Sequence, residues 1–147
     1  MPLDKWDGRF LEVAKLASEW SKDPDAKVGA VIVDAQRQIA AVGYNGFPIS
    51  VEDSAERLGD KEIKNEMIVY AEENTVLAAG IRAKGGTIYV VGKPVCPRCA
   101  GTIIQSRIKR VVASTPKEGT DSHWDKVGKI ALEMMTEAKI EFVPTSN

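Results

Sequence analysis

A chain of 147 residues is the size of one domain and is long enough to bury a substantial core. Its 20 basic and 21 acidic side chains give a net charge of −1, without the cationic excess that most duplex-binding proteins use to neutralise phosphates, so no nucleic-acid partner is expected. The opening "MPLDKWDGRF" lacks the charged-then-apolar pattern of a leader, and no apolar run nears the ~20 residues of a bilayer span, so the reading is a soluble cytoplasmic protein with no membrane partner.

In chain order, "WDGRFLEVAKLASEWS" places Phe10, Val13, Ala14, Leu16 and Ala17 on one stripe of an amphipathic helix that stops before "KDPDA". "KVGAVIVDAQRQIAAVGYNG" holds two Val- and Ile-rich runs around a polar Asp34–Gln38 turn, the pattern of a hairpin. A loop follows at "GYNGFPISVED", and the charged residues 54–66 predict a short surface helix. From Ala71, the spacing of Val76, Leu77 and Ala79 before Gly80 predicts a helix. After it come the strand "TIYVV", the helix "PRCAGTIIQS", the strand "RIKRVVAST", the helix "SHWDKVGKIALEMMTEA" and the strand "IEFV". The core is expected from Val28–Val33, Ile39–Val42, Ile88–Val91 and Ile108–Val112. Helices alternating with buried strands after a hairpin predict an α/β fold, a three-layer α/β/α domain over residues 1–147 with helices on both faces of a mixed sheet.

The chemistry concentrates in two short stretches. Cys96 and Cys99 fall where a strand ends and a helix begins, where free N–H groups and the positive helix end favour thiolate. Two cysteines at this spacing in a reducing compartment point to a metal site or a redox pair. Glu72 opens a second helix, two residues after Tyr70, so both can reach a shared cleft. A zinc-deaminase signature reads His-x-Glu followed by Pro-Cys-x-x-Cys; this chain reads Tyr-x-Glu and Val-Cys-x-x-Cys.

Five blocks in order, "SKDPDAKVGAVIVD", "GYNGFP", "AEENTVL", "CPRCAGTIIQSRIKRVV" and the tail helix around Trp124, resemble the deoxycytidylate (dCMP) deaminase branch of the cytidine deaminase superfamily. The resemblance implies a five-stranded sheet between helices, zinc, a homo-oligomer, regulation by dCTP and dTTP, and hydrolytic removal of the 4-amino group of dCMP to give dUMP. By the same resemblance Cys96 and Cys99 are metal ligands and Glu72 is the acid/base that moves protons between the metal-bound water and the substrate. The amide of Ala71 is a donor to the pyrimidine 2-oxo group, and the carbonyl of Val95, where the family has Pro, accepts from the substrate amino group. Asn45 grips the deoxyribose, and Lys27 is a phosphate contact.

Tyr70 occupies the position at which the resemblance implies a third, histidine ligand. A phenol has a reference pKa of about 10 and a longer reach than imidazole, so it is a poor partner for two thiolates. The expectation is a crippled zinc site, in an active deaminase disabled at one position or in a nucleotide-binding regulatory homologue.

Each residue also has an ordinary reading. Glu72 alone would be an acid favoured at a helix start, Tyr70 a core aromatic, and Asn45 turn chemistry. His123 reads as a capping-region residue, and Trp6, Trp20 and Trp124 as packing residues. The motifs admit two other functions. A thiol oxidoreductase would use Cys96 and Cys99, but the tryptophan that precedes such pairs is replaced by Val95 and the "GYNG" and "AEEN" blocks go unexplained. A tRNA or nucleobase deaminase shares the zinc motif but calls for a more basic surface.

Overall fold

Strand β1 (Gly29–Val33) is the axis on which the sheet is built, because all five of its residues are buried and both of its edges are paired. The computed structural model describes residues 3–119 and 122–146. β1 runs antiparallel to β2 (Ile39–Tyr44) and to β3 (Thr87–Val91); β4 (Arg110–Ser114) and β5 (Glu141–Thr145) then add in parallel, giving the order β2-β1-β3-β4-β5. The hairpin turn between β1 and β2 is closed by Asp34, whose Oδ1 accepts from the N–H groups of Gln36 and Gln38, both at 2.9 Å.

The period-two alternation of the strands divides the core between two faces. On one face Val31, Val33, Tyr89, Val112 and Val143 pack under Phe10 and Ala14 of α1 (Lys5–Ser18). On the other, Ala30, Ile32, Ile88, Val90 and Val111 lie beneath α4 (Ala71–Ala79), α5 (Pro97–Gln105) and α6 (His123–Glu137). Register ties the layers together, since Ile32 pairs with Ile88 and Ile88 with Val111. The α/β fold with a five-stranded mixed sheet and helices on both faces is therefore as the sequence predicts.

Two glycines set how closely helices approach the hairpin. A Cβ on Gly29 would lie 2.0 Å from the Ala14 carbonyl of α1, and one on Gly43 would lie 2.3 Å from the Thr75 hydroxyl of α4. Only glycine permits these contacts.

α1 begins with a reciprocal capping box, in which the Asp7 N–H donates to Asp4 Oδ1 at 2.8 Å and the Asp4 N–H to Asp7 Oδ2 at 3.1 Å. Asp7 is buried and takes two further bonds from Arg110, at 2.8 and 2.9 Å, and one from the Tyr89 hydroxyl at 2.8 Å. The guanidinium holds the Asp7 carboxyl down at about 2.

Several local expectations need correction. Residues 54–66 form two helices, α2 (Ala55–Gly59) and α3 (Lys61–Met67), because Asp60 ends the first and its carboxylate accepts from the Ile63 N–H to cap the second. Ile39 and Val42 are exposed, since β2 is the sheet's edge strand and turns those side chains outward. Leu16 and Leu77 also face solvent, on the sides of α1 and α4 away from the sheet. Among the described residues no helix is long and apolar enough to cross a membrane.

Candidate active site

Two helix N-termini converge on one cavity. Tyr70 is the N-cap of α4 in extended conformation (φ −71°, ψ 153°), held by a bridge between Val69 and Gly46 that ties this segment to the loop after β2. Its backbone N–H donates to the Glu73 carboxylate at 3.4 Å. Cys96 is the N-cap of α5, with Pro97 in the first turn, where its missing N–H costs nothing. Glu72, Tyr70, Cys96, Cys99, Asn45 and Trp124 all line the same cavity, which holds about 40 Å³ of water-accessible space.

The electrostatics follow from burial and from these helix ends. Glu72 is 5% exposed, and burial pushes its carboxyl up to about 7. Cys96 is held down to about 6 by a hydrogen bond from the Cys99 thiol and by the N–H groups of Cys99 and Arg98, which together outweigh its desolvation. As the donor, and deeply buried, Cys99 is pushed up. Burial, helped by the two cysteines, raises the Tyr70 phenol, so it stays protonated at neutral pH.

The sequence-predicted residues separate into three groups. Glu72, Tyr70, Cys96, Cys99 and Asn45 are brought together on the cavity wall. Ala71 and Val95 are buried beside it: Ala71 is the first residue of α4, where its N–H has no intrahelical acceptor, while the Val95 side chain packs in the core between the cavity-lining Pro94 and Cys96. Lys27 is exposed and does not line the cavity. The side chain of Asn45 is engaged within the fold: Oδ1 accepts from Val28 N–H at 2.9 Å, and Nδ2 donates to the Ala26 carbonyl at 2.9 Å and to Asp23 at 3.3 Å.

Two lysines of the cavity escape the sequence reading. Lys64, from the segment expected to be a solvated helix, is 3% exposed and ion-paired to Asp23 at 2.7 Å and to Asp25 at 2.5 Å. Desolvation pulls its pKa down, but the two carboxylates outweigh it and the net direction is up. Lys93 is half-buried, burial lowers its pKa, and it has no ion-pair partner among the described residues. Its ammonium lies 3.7 Å from the centroid of the Trp124 ring. Trp124 packs against the core, as the sequence predicts, and also meets Tyr70 edge-on at the cavity. The sole signal for Lys93 is its place three residues before the first cysteine.

Whether these residues fit a zinc ion is decided by the donor set. Two cysteine sulfurs and a protonated phenol do not make the three-ligand site that catalytic zinc requires. Among the described residues no three of His, Cys, Asp and Glu come together as a ligating group. His123 is exposed at the start of α6, where its ring stands against Trp124 with centroids 5.5 Å apart, and it does not line the cavity. The residues present do not fit the metal.

Glu72 and a Cys-x-x-Cys helix meet in one cavity on a mixed five-stranded sheet, and the relatives name the class. Residues 4–115 match the model of the cytidine and deoxycytidylate deaminase zinc-binding region, and the chain belongs to that family. An uncharacterized deaminase from the luxG 3′ region of Aliivibrio fischeri is 40% identical over 139 residues, covering 95% of this chain and 92% of the relative. The deoxycytidylate deaminase of Homo sapiens is 32% identical over 146 residues, covering 95% and 81%. A probable deoxycytidylate deaminase of Caenorhabditis elegans is 45% identical over 108 residues, but this chain spans only 54% of its length. The dCMP deaminase of cyanophage S-TIM5 superposes with a TM-score of 0.75, covering 98% of this chain and 100% of the phage chain at 19% identity, a likeness of fold.

Proposed function

We propose that this chain is a single dCMP-deaminase domain that binds a free cytosine deoxynucleotide and turns it over negligibly, because Tyr70 stands at the family's histidine position. The observation that carries the reading is the cavity itself, which keeps Glu72, Cys96 and Cys99 together while offering a neutral phenol as the third donor. Lys93, and not Lys27, is the cation assigned to the 5′-phosphate, since it sits on the cavity wall without a carboxylate partner. The backbone N–H of Ala71 and the carbonyl of Val95 are assigned to the pyrimidine edge, and Asn45 orders the loop against which the sugar rests. A charge balance near zero favours a small nucleotide over a nucleic acid. Assembly as a homo-oligomer, regulation by dCTP or dTTP and a cytoplasmic location belong to the same proposal.

Calorimetric titration with dCMP tests it. Binding is expected for the unmodified chain and at least several-fold weaker binding for Lys93→Ala, with deoxycytidine affected little by the substitution. Absence of dCMP binding, together with tight, salt-dependent binding of an RNA hairpin, would reverse the substrate assignment.

A further inference from the structure

Asp23 is a buried carboxylate in the cavity wall that the proposed chemistry does not use. It is 7% exposed and comes from the loop before β1, while Asn45 follows β2 and Lys64 comes from α3, so three segments separate from the helix starts of Glu72 and Cys96 meet around it. Its two oxygens are loaded unequally. Oδ1 accepts from Lys64 Nζ at 2.7 Å and from the N–H groups of Asp25 at 2.8 Å and Ala26 at 3.2 Å. Among the described residues Oδ2 takes only the Asn45 amide, at 3.3 Å, a long bond for an N–H donor, so most of its accepting capacity is unspent. Asn45 has given both amide hydrogens, to Asp23 and to the Ala26 carbonyl, and has none left for a ligand. The carboxylate is also held in place: the Asp23 N–H donates to Ser21 Oγ at 3.2 Å, and that hydroxyl donates to the Asn45 carbonyl at 2.8 Å.

We infer that Asp23 Oδ2 is the acceptor for the 3′-hydroxyl of a bound 2′-deoxynucleotide, and so selects ligands that carry that hydroxyl. An anionic acceptor on the cavity wall repels phosphate and calls for a donor from the ligand. Apart from its phosphate, dCMP has two donor groups, the 4-amino group and the 3′-hydroxyl. The first is assigned to the Val95 carbonyl, which leaves the hydroxyl for Asp23. The phosphate goes to Lys93, since the ammonium of Lys64 is already shared between Asp23 and Asp25. The inference rests on the reading that this cavity takes a cytosine deoxynucleotide.

The experiment is calorimetric titration of the full chain with dCMP, with 2′,3′-dideoxycytidine 5′-monophosphate and with the 3′-fluoro analogue of the dideoxy compound. The unmodified chain is expected to bind dCMP at least about tenfold more tightly than either analogue, the lower end of what a hydrogen bond to a charged group contributes. Fluorine accepts without donating, so a fluoro analogue as weak as the dideoxy one fixes the direction of the bond. Asp23→Asn should bring the ratio of dCMP to dideoxy affinity below about threefold, because the amide turns one acceptor oxygen into a donor. Asp7→Asn removes another buried carboxylate, outside this cavity, and should lower stability while leaving the ratio unchanged. A merely structural role for Asp23 would weaken all three ligands alike and keep the ratio, which would overturn the assignment. A fluoro analogue that binds like dCMP would do the same. Should Asp23→Asn fail to fold, the three ligands on the unmodified chain still decide. Equal affinities there overturn this assignment alone, whereas binding of none of the three overturns the nucleotide reading and this assignment with it.

Discussion

The ring of Tyr70 stands edge-on to that of Trp124, with centroids 6.2 Å apart and planes at 81°. Both rings line the cavity that Glu72 and the cysteines share, and the pair joins the start of α4 to the start of α6. A nucleotide bound in this cavity would lie against both rings. Binding of dCMP should therefore change tryptophan fluorescence in the unmodified chain, and Trp124→Phe should abolish most of that change while Trp20→Phe, on an exposed side chain paired with Tyr44, should not. Equal signals from the two variants would place the nucleotide elsewhere.

Replacing the phenol should supply the missing donor. Tyr70→His is expected to raise zinc content from sub-stoichiometric to about one ion per chain, since two thiolates and an imidazole form an ordinary catalytic donor set. In that background Glu72→Ala should keep the zinc and lose at least a hundredfold in dCMP hydrolysis, the lower end of what general acid–base groups contribute. Elemental analysis and an ammonia assay on the same preparations check both. A Glu72→Ala variant that still turned over would move the proton-transfer role to another residue.

Acid should weaken the fold through Asp7. Its pKa is about 2 in the folded chain against an ordinary 3.8; a depressed carboxyl contributes stability above the ordinary value and loses it as pH falls toward the folded one. The shift corresponds to about 2 kcal/mol, so denaturant midpoints should drop between pH 5 and about pH 2 more steeply in the unmodified chain than in Asp7→Asn. At neutral pH Asp7→Ala should cost about 3 kcal/mol or more, because Arg110 and the Tyr89 hydroxyl lose their buried acceptor. Identical pH profiles for the two chains would show that the network is not coupled to folding.

Asn45 should behave as a structural residue as well as a cavity wall. Its amide satisfies the Val28 N–H and the Ala26 carbonyl, so Asn45→Ala should destabilise the fold by about 2 kcal/mol, the cost of leaving buried polar groups unpaired. Thermal unfolding with and without dCMP separates this from ligand binding. A variant with unchanged stability and lost binding would restore Asn45 to a purely sugar-contacting role.

The hairpin, the strands and the placement of Glu72, Cys96 and Cys99 at two helix starts are legible because continuous Val- and Ile-rich runs and the motifs between them are local signals. The break at Asp60 was not, because a single aspartate both ends α2 and caps α3, and in sequence the segment reads as one charged helix. Lys64 was hidden for the same reason: a lysine among charged neighbours reads as solvated, and only the packing of α3 against Asp23 buries it. Lys27, a phosphate contact by the resemblance, lies outside the cavity, whose wall carries Lys93, from a segment 66 positions later in the chain. Exposed Ile39 and Val42 belong to an edge strand, and edge position is a property of the sheet order that a run of residues does not carry.

The central claim is that Tyr70 separates nucleotide binding from turnover, and ammonia release from dCMP by the unmodified, zinc-supplemented chain tests it most directly. The account predicts no release above the uncatalysed background in a sample whose dCMP binding has been verified by calorimetry. Sustained, enzyme-proportional release from that sample would contradict it, and would show that the phenol at position 70, or a donor outside this cavity, supports a working site.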